Sequence, residues 1–218
     1  MFEHHFQSHP GFDIHIIVLY SSNMTNKRSS ISNKDIVLQT ASTLFLTKGF
    51  QVTSMDEIVA LSKVSKTNIY YHYKSKEELL LAIVDQLISR YEERISRTLT
   101  QDMSIPAKME RLFRILTEDN EQIDYVGGCP FLTLYTQTSH SSSEARAKIK
   151  AFFDKQLQVV EKLLEEGMEK KELSRNLPVH ETAALIVTSI EGALFLTKAT
   201  NNPMLAQNLI QAFASMLK

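Results

Sequence analysis

Between Lys76 and Leu99 apolar residues recur at Leu80, Val84, Leu87, Ile88, Tyr91 and Ile95. This spacing fits one face of an α-helix and no strand, whose period is two. Ser75 precedes the run, with Glu78 three residues on, which is the signature of a capped N-terminus. The helix would be about 36 Å long at roughly 1.5 Å per residue. A rod of that length must be covered by other helices. The chain supplies them, and no segment alternates convincingly with period two. The predicted fold class is all-α.

Further stripes fit the same period. Val37, Ala41, Leu44 and Phe45 precede Gly49, which stands where a helix end favours a left-handed residue. Ser54 and Glu57 open a short helix through Met55, Ile58 and Val59, and a break at Ser62-Lys63 leads to another from Lys66. Pro106 suits a first turn before Met109, Leu112, Phe113 and Leu116. After Gly127-Gly128-Cys129-Pro130 comes the apolar piece Phe131 to Tyr135. A long helix follows, striped by Ile149, Phe152, Phe153, Leu157, Val160, Leu163, Leu164 and Met168. Pro178 to Lys198 is apolar almost all round, so it needs cover on every side. A second subunit is the simplest cover that one chain of 218 residues cannot itself provide. The last stripe is Leu205, Leu209, Phe213 and Met216.

Composition narrows the class. At 43% apolar and 22% charged the chain is ordinary for a globular protein. Its single cysteine, Cys129, excludes a disulfide framework and a multi-thiolate metal site, and fits a reducing, cytoplasmic setting. No run approaches the roughly 18 apolar residues of a spanning helix, so no membrane partner is expected. Residues 1–30 are expected to form a disordered leader without chemistry, Met24 being an alternative start. Its histidines, His4, His5, His9 and His15, lack a fixed ligand geometry, and neither a metal nor a cofactor is expected. Paired carboxylates, Ser/His/Asp arrangements, glycine-rich phosphate loops and HExxH are missing from the sequence, so the expected chain is not an enzyme.

The informative stretch is Thr53 to Lys76. Two short helices joined by a tight turn make a helix-turn-helix. On a wheel of Lys66 to Tyr73, Ile69 and Tyr73 form a core side. Thr67, Asn68, Tyr71 and His72 lie opposite, with groups suited to base edges and phosphates. Charge agrees: residues 24–76 carry a net charge of +5 and residues 77–218 one of −4, a basic head on an acidic body.

Ala41…Leu44-Phe45, Lys48-Gly49-Phe50, Thr53-Ser54, Asp56-Glu57-Ile58, Val64-Ser65-Lys66, Ile69-Tyr70-Tyr71-His72-Tyr73 and Lys74-Ser75-Lys76-Glu77-Glu78-Leu79 occur in that order. In these pieces the run from Ile36 to Leu80 resembles the N-terminal domain of TetR-type transcriptional regulators. The resemblance implies a homodimer that binds a double-stranded, palindromic DNA operator, most often as a repressor. It implies DNA contacts at Thr53, Lys66, Thr67, Asn68, Tyr70, Tyr71, His72 and Lys76. It divides the chain into a helix-turn-helix domain at 31–75 and a regulatory and dimerisation domain at 76–218. Lys63 departs from the pattern, standing at a turn position usually held by Gly, where a left-handed conformation would be costly.

Gly127-Gly128-Cys129-Pro130-Phe131 and Ile190-Glu191-Gly192-Ala193-Leu194 look similar to the LmrA/YxaF-like branch. That likeness implies dimerisation through residues 180–199 and 203–217. It also implies a pocket for a small apolar effector near Phe113, Leu116, Phe131, Leu134, Tyr135 and Phe152. A DNA-binding adaptor answering to a protein partner is the alternative. The apolar surroundings of Cys129 favour a buried, inert thiol over a sensor. Glu191 is left open between a buried polar contact and a solvated acid.

Overall fold

The computed structural model describes residues 32–118, 128–138 and 141–216, the side chains of 116–118 excepted. The expected leader and its histidines lie outside the described residues. Among the described residues there are helices and no strands. We number them α1 (Asn33–Leu44), α2 (Met55–Ser62), α3 (Lys66–His72), α4 (Lys76–Leu99), α5 (Ile105–Glu118), α6 (Pro130–Gln137), α7 (Ser143–Glu169), α8 (Val179–Thr200) and α9 (Met204–Met216).

Helices α1, α2 and α3 pack on one another, and α1 also packs on α4. Val37, Ala41, Phe45, Ile58, Ile69, Leu79, Leu80 and Ile83 are all fully buried there. The expected caps at Ser54 and Ser75 form, and Ser65 adds a third. Ser54, Ser65 and Ser75 accept the amides of Glu57, Asn68 and Glu78, and each fixes where its helix starts. Glu78 reaches back to the Lys74 amide at 2.6 Å, one residue before the cap. Between α1 and Gly49 the chain widens into a π-helical turn, Phe45–Gly49, which the sequence did not announce. It ends at Gly49 with φ +117°, a conformation in which a side chain would be strained.

The remaining helices build a second layer. α4 packs on α5 and α7, α5 on α7 and α9, α6 on α7, and α8 on both α7 and α9. Tyr91, Phe131 and Phe152 form an aromatic knot. Phe131 and Phe152 are stacked at 3.9 Å between centroids, and Tyr91 meets Phe131 edge-on at 5.4 Å.

α8 is long and apolar enough to cross a membrane by length and composition alone, with a mean hydropathy of 1.3 over an 18-residue window. Thr188, Ser189 and Glu191 interrupt its apolar run, which an average over the window tolerates. One side of α8 is closed by α7 and α9, where Ala183, Ile186, Ile190 and Leu194 are buried. The other leaves Leu185, Phe195 and Leu196 about half exposed, and Met204 and Met216 of α9 are exposed as well. Gly192 lies with open space above it.

Candidate functional site

The turn between α2 and α3 is tight because Lys63 takes the left-handed conformation, φ 57° and ψ 18°. Its amide closes α2 on the Val59 carbonyl, and the chain turns at once into α3. A glycine would adopt this geometry without the Cβ clash. The departure at Lys63 therefore leaves the turn intact. Lys66 reaches across to Asp56 at 2.7 Å and ties the start of α3 to α2. That hydrogen bond raises the Lys66 pKa above its ordinary value, and Lys66 stays exposed and charged.

α3 divides much as the wheel predicts. Ile69 is fully buried and Tyr73 is buried. Thr67 and Tyr71 face solvent, Tyr71 with 80% of its surface exposed and Tyr70 with 38%. The His72 ring stands edge-on to Tyr71 at 5.0 Å. Asn68 is half-buried and its Oδ1 is enclosed, so it is turned further inward than the wheel suggests. Lys48, Lys63, Lys66 and Lys74 are exposed on the same head.

Two residues expected on this surface have other roles. Thr53 is 1% exposed, and its hydroxyl donates to the Gly49 carbonyl at 2.8 Å, closing the turn before α2. The Lys76 ammonium donates to the carbonyls of Phe50 (2.8 Å), Gln51 (3.2 Å) and Thr53 (2.9 Å). It also lies 4.5 Å from the Phe50 ring centroid. All three of its protons are engaged, and partial burial lowers its pKa. The Lys76 side chain is a brace for the loop from α1 to α2. Sequence alone places it at a helix start near DNA and cannot reveal where the ammonium turns.

A second brace comes from α6. Gln137, the last residue of α6, accepts the Phe50 amide through Oε1 at 2.9 Å. One hydrogen bond thus joins α6 to the loop that Lys76 holds from the other side.

The cavities lie beside the expected pocket residues. One, of about 370 Å3, opens between α4 and α7, with Ile95, Leu99, Phe152, Gln156 and Val159 in its wall. A smaller one adjoins it, lined by Met109, Leu112, Phe113, Gln156, Val160 and Val187 among others. Phe152 and Phe113 therefore line cavities. Phe131 and Leu134 line neither of these two, both being packed into the core, Phe131 against Phe152. Tyr135 is 41% exposed on the outer side of α6. The Leu116 side chain lies outside the described residues. Gln156 interrupts an apolar stripe, four residues after Phe152 and four before Val160, and this was a readable signal of a polar group inside.

The two motifs near the middle and end of the chain meet. Gly128 (φ +69°) sits against α8 so closely that a Cβ would fall 2.2 Å from the Leu194 carbonyl oxygen. The Cys129 thiol lies against the Glu191 carboxyl. Burial raises both pKa values, the Cys129 thiol well above its ordinary value, so Cys129 is inert as a nucleophile.

Comparison with known proteins agrees with this geometry. Residues 37–83 match the family described as "Bacterial regulatory proteins, tetR family". Residues 107–213 match the "Tetracyclin repressor-like, C-terminal domain". An HTH-type transcriptional regulator encoded in the lacX 3' region of Lactococcus lactis is 25% identical over 189 residues, covering 86% of this chain and 92% of that protein. The HTH-type transcriptional repressor DhaR of a Mycobacterium species is 27% identical over 175 residues, 80% of this chain and 87% of its own. In structure, a TetR transcriptional regulator from Chloroflexus aurantiacus superposes with a TM-score of 0.74 at 23% identity, over 84% of this chain and 92% of that one. A helix-turn-helix head, an all-helical body and two family matches along their length make this chain a DNA-binding member of the TetR family of transcriptional regulators, not an enzyme.

Proposed function

We propose that the protein is a ligand-gated repressor that binds a palindromic operator as a homodimer. Each subunit would lay α3 in a major groove, the pair spaced about one helical turn, roughly 34–36 Å. One observation carries this reading: Tyr71, a large aromatic, is 80% exposed on a head that also exposes Lys63, Lys66 and Lys74. An exposed aromatic in such a setting calls for a partner. Thr67 and His72 beside it supply hydroxyl and imidazole groups for bases or phosphates, and Lys66 supplies a cation. Asn68 and Tyr70 contribute from the flanks. Thr53 and Lys76 act on DNA indirectly, by holding the loop, and the N-terminal end of α4 remains suited to a phosphate.

Homodimerisation is supported by the uncovered side of α8 and α9. Leu185, Phe195, Leu196, Met204 and Met216 are exposed there, and the space over Gly192 allows close approach of a second helix. Repression is supported by the likeness to DhaR, a transcriptional repressor. Gating is supported by the cavity between α4 and α7, whose volume suits a small molecule. Two paths lead from it to the head. One is α4 itself, from Ile95 and Leu99 down to Lys76. The other runs from Phe152 through the stacked Phe131 to α6, and from Gln137 to Phe50. A shift of Phe152 on effector entry would move both, and the half-site spacing would no longer fit.

The test is operator binding by Tyr71→Ala and His72→Ala. Loss of binding with intact helicity and dimerisation is expected. Loss of folding instead would make these residues part of the core and end the proposal.

A further inference from the structure

We infer that Lys63 and Lys74, at the two ends of α3, are phosphate contacts, one on each strand that borders the major groove. The inference rests on α3 lying in that groove and adds two contacts to it.

Four lysines stand at or beside the ends of α3, two at each end. One of each pair is engaged within the protein. At the start, Lys66 pairs with Asp56 at 2.7 Å, which offsets part of its charge. At the end, the Lys76 ammonium donates to the carbonyls of Phe50, Gln51 and Thr53. The other two, Lys63 and Lys74, are exposed, and neither ammonium has an acceptor among the described residues. Both hang from a fixed backbone. The Lys63 amide donates to the Val59 carbonyl in the left-handed turn, and the Lys74 amide donates to Glu78 at 2.6 Å. Glu78 thereby takes the Lys74 amide and leaves its ammonium free.

Length places these two cations. α3 has seven residues and is about 10 Å long at roughly 1.5 Å per residue, whereas the major groove is about 12 Å wide. The helix is thus shorter than the groove, and the residues just beyond its ends reach the walls, where the phosphates are. Lys63 lies three residues before α3 and Lys74 two residues after it. A flexible stem with a compact charge suits such a contact, which needs reach and no fixed angle. Phosphate contacts set the register of a helix in the groove and carry no sequence information. One at each end would hold Thr67 and Tyr71 level against the bases.

The test is anisotropy titration of a labelled random-sequence duplex of about 30 base pairs, with salt raised from about 50 to about 200 mM. The proteins are full-length wild type, Lys63→Gln, Lys63→Gly, Lys74→Gln and Lys171→Gly. Lys171 is the control: an exposed lysine with the same left-handed backbone (φ 60°), placed after α7 on the body. One phosphate contact contributes about 0.9 unit of salt slope, or about eightfold in affinity at about 0.1 M salt. A dimer lacking two should bind about 60-fold more weakly, with its slope reduced by about 1.8 units. Each variant at Lys63 or Lys74 should show this loss with wild-type helicity, and Lys171→Gly should show none. Lys63→Gly should also melt higher than wild type, since it frees the backbone as it removes the ammonium. Wild-type affinity and slope in the Lys63 and Lys74 variants would overturn the two contacts and leave α3 in the groove. Loss at one end alone would overturn the two-sided placement. An equal loss in Lys171→Gly would overturn it as an effect of total charge. Weak wild-type binding without salt dependence would end the groove reading and the inference with it. If Lys63→Gln does not fold, Lys63→Gly still decides.

Discussion

Replacing Lys76 by methionine separates a brace from a phosphate contact. The ammonium donates to three backbone carbonyls and lies over the Phe50 ring. A hydrogen bond to a charged group contributes about 1.5–3 kcal/mol net. Three to one donor are not additive, and water replaces part of what a half-buried lysine loses. We expect Lys76→Met to weaken the α1–α2 loop by about 2–4 kcal/mol. If that loss is global, melting should fall by about 5–15 °C, at roughly 2–4 °C per kcal/mol for a chain of this size. If it is local, the Thr53 amide, bonded to Gly49, should exchange roughly 30- to 700-fold faster, since about 1.4 kcal/mol is a factor of ten. The assays are thermal melting and hydrogen exchange, with Lys74→Met as an exposed control expected to change stability by less than about 0.5 kcal/mol. The brace is refuted if Lys76→Met melts and exchanges like wild type but loses operator affinity together with about one unit of salt slope. That pattern belongs to a direct phosphate contact.

Three further outcomes follow from the same geometry. Lys63→Gly should stabilise the protein by about 0.5–1 kcal/mol, because relief of about 1–2 kcal/mol of left-handed strain outweighs the flexibility of glycine; any destabilisation in denaturant titration would mean that the Lys63 side chain contributes more than its backbone costs. Gly128→Ala should destabilise by about 3 kcal/mol, from a positive φ and a Cβ forced onto the Leu194 carbonyl, and unchanged stability would contradict the contact between these motifs. Glu191 has its pKa raised by burial, so its protonated form favours the fold below its unfolded value of 4.5 and that contribution is lost as pH rises through the raised folded value. Glu191→Gln, neutral throughout, should therefore gain melting temperature over wild type as pH goes from 4 to 8; a difference that stays flat with pH would place the carboxyl in water.

The helices were legible wherever local rules agree with packing. α4 occupies Lys76–Leu99 as its stripe and the Ser75 cap indicate, and α3 buries Ile69 and Tyr73 as its wheel indicates. The π-helical turn before Gly49 was not legible, since nothing local separates it from a continuing α-helix. Side-chain direction was the larger gap. Thr53 and Lys76 were placed correctly in the chain, but the Thr53 hydroxyl and the Lys76 ammonium turn toward backbone carbonyls that only the folded loop brings near. Tyr135 fits an apolar run by composition, yet α6 is short and Tyr135 falls on its outer side. The cavities open to one side of the expected pocket residues for a related reason. Phe131 and Phe152 stack on each other, so the space opens on the far side of Phe152, toward Gln156. The two glycine-bearing motifs were noticed separately, and only the fold brings Gly128 onto Leu194.

The central claim is that α3 reads DNA through its exposed side, and selection of bound fragments from a random duplex pool tests it most directly. Wild type should recover a palindrome whose half-sites are centred about 10–10.5 base pairs apart, and Tyr71→Ala, folded and dimeric, should recover none. Recovery of the same palindrome by Tyr71→Ala, or of no symmetric sequence by wild type, would contradict the account.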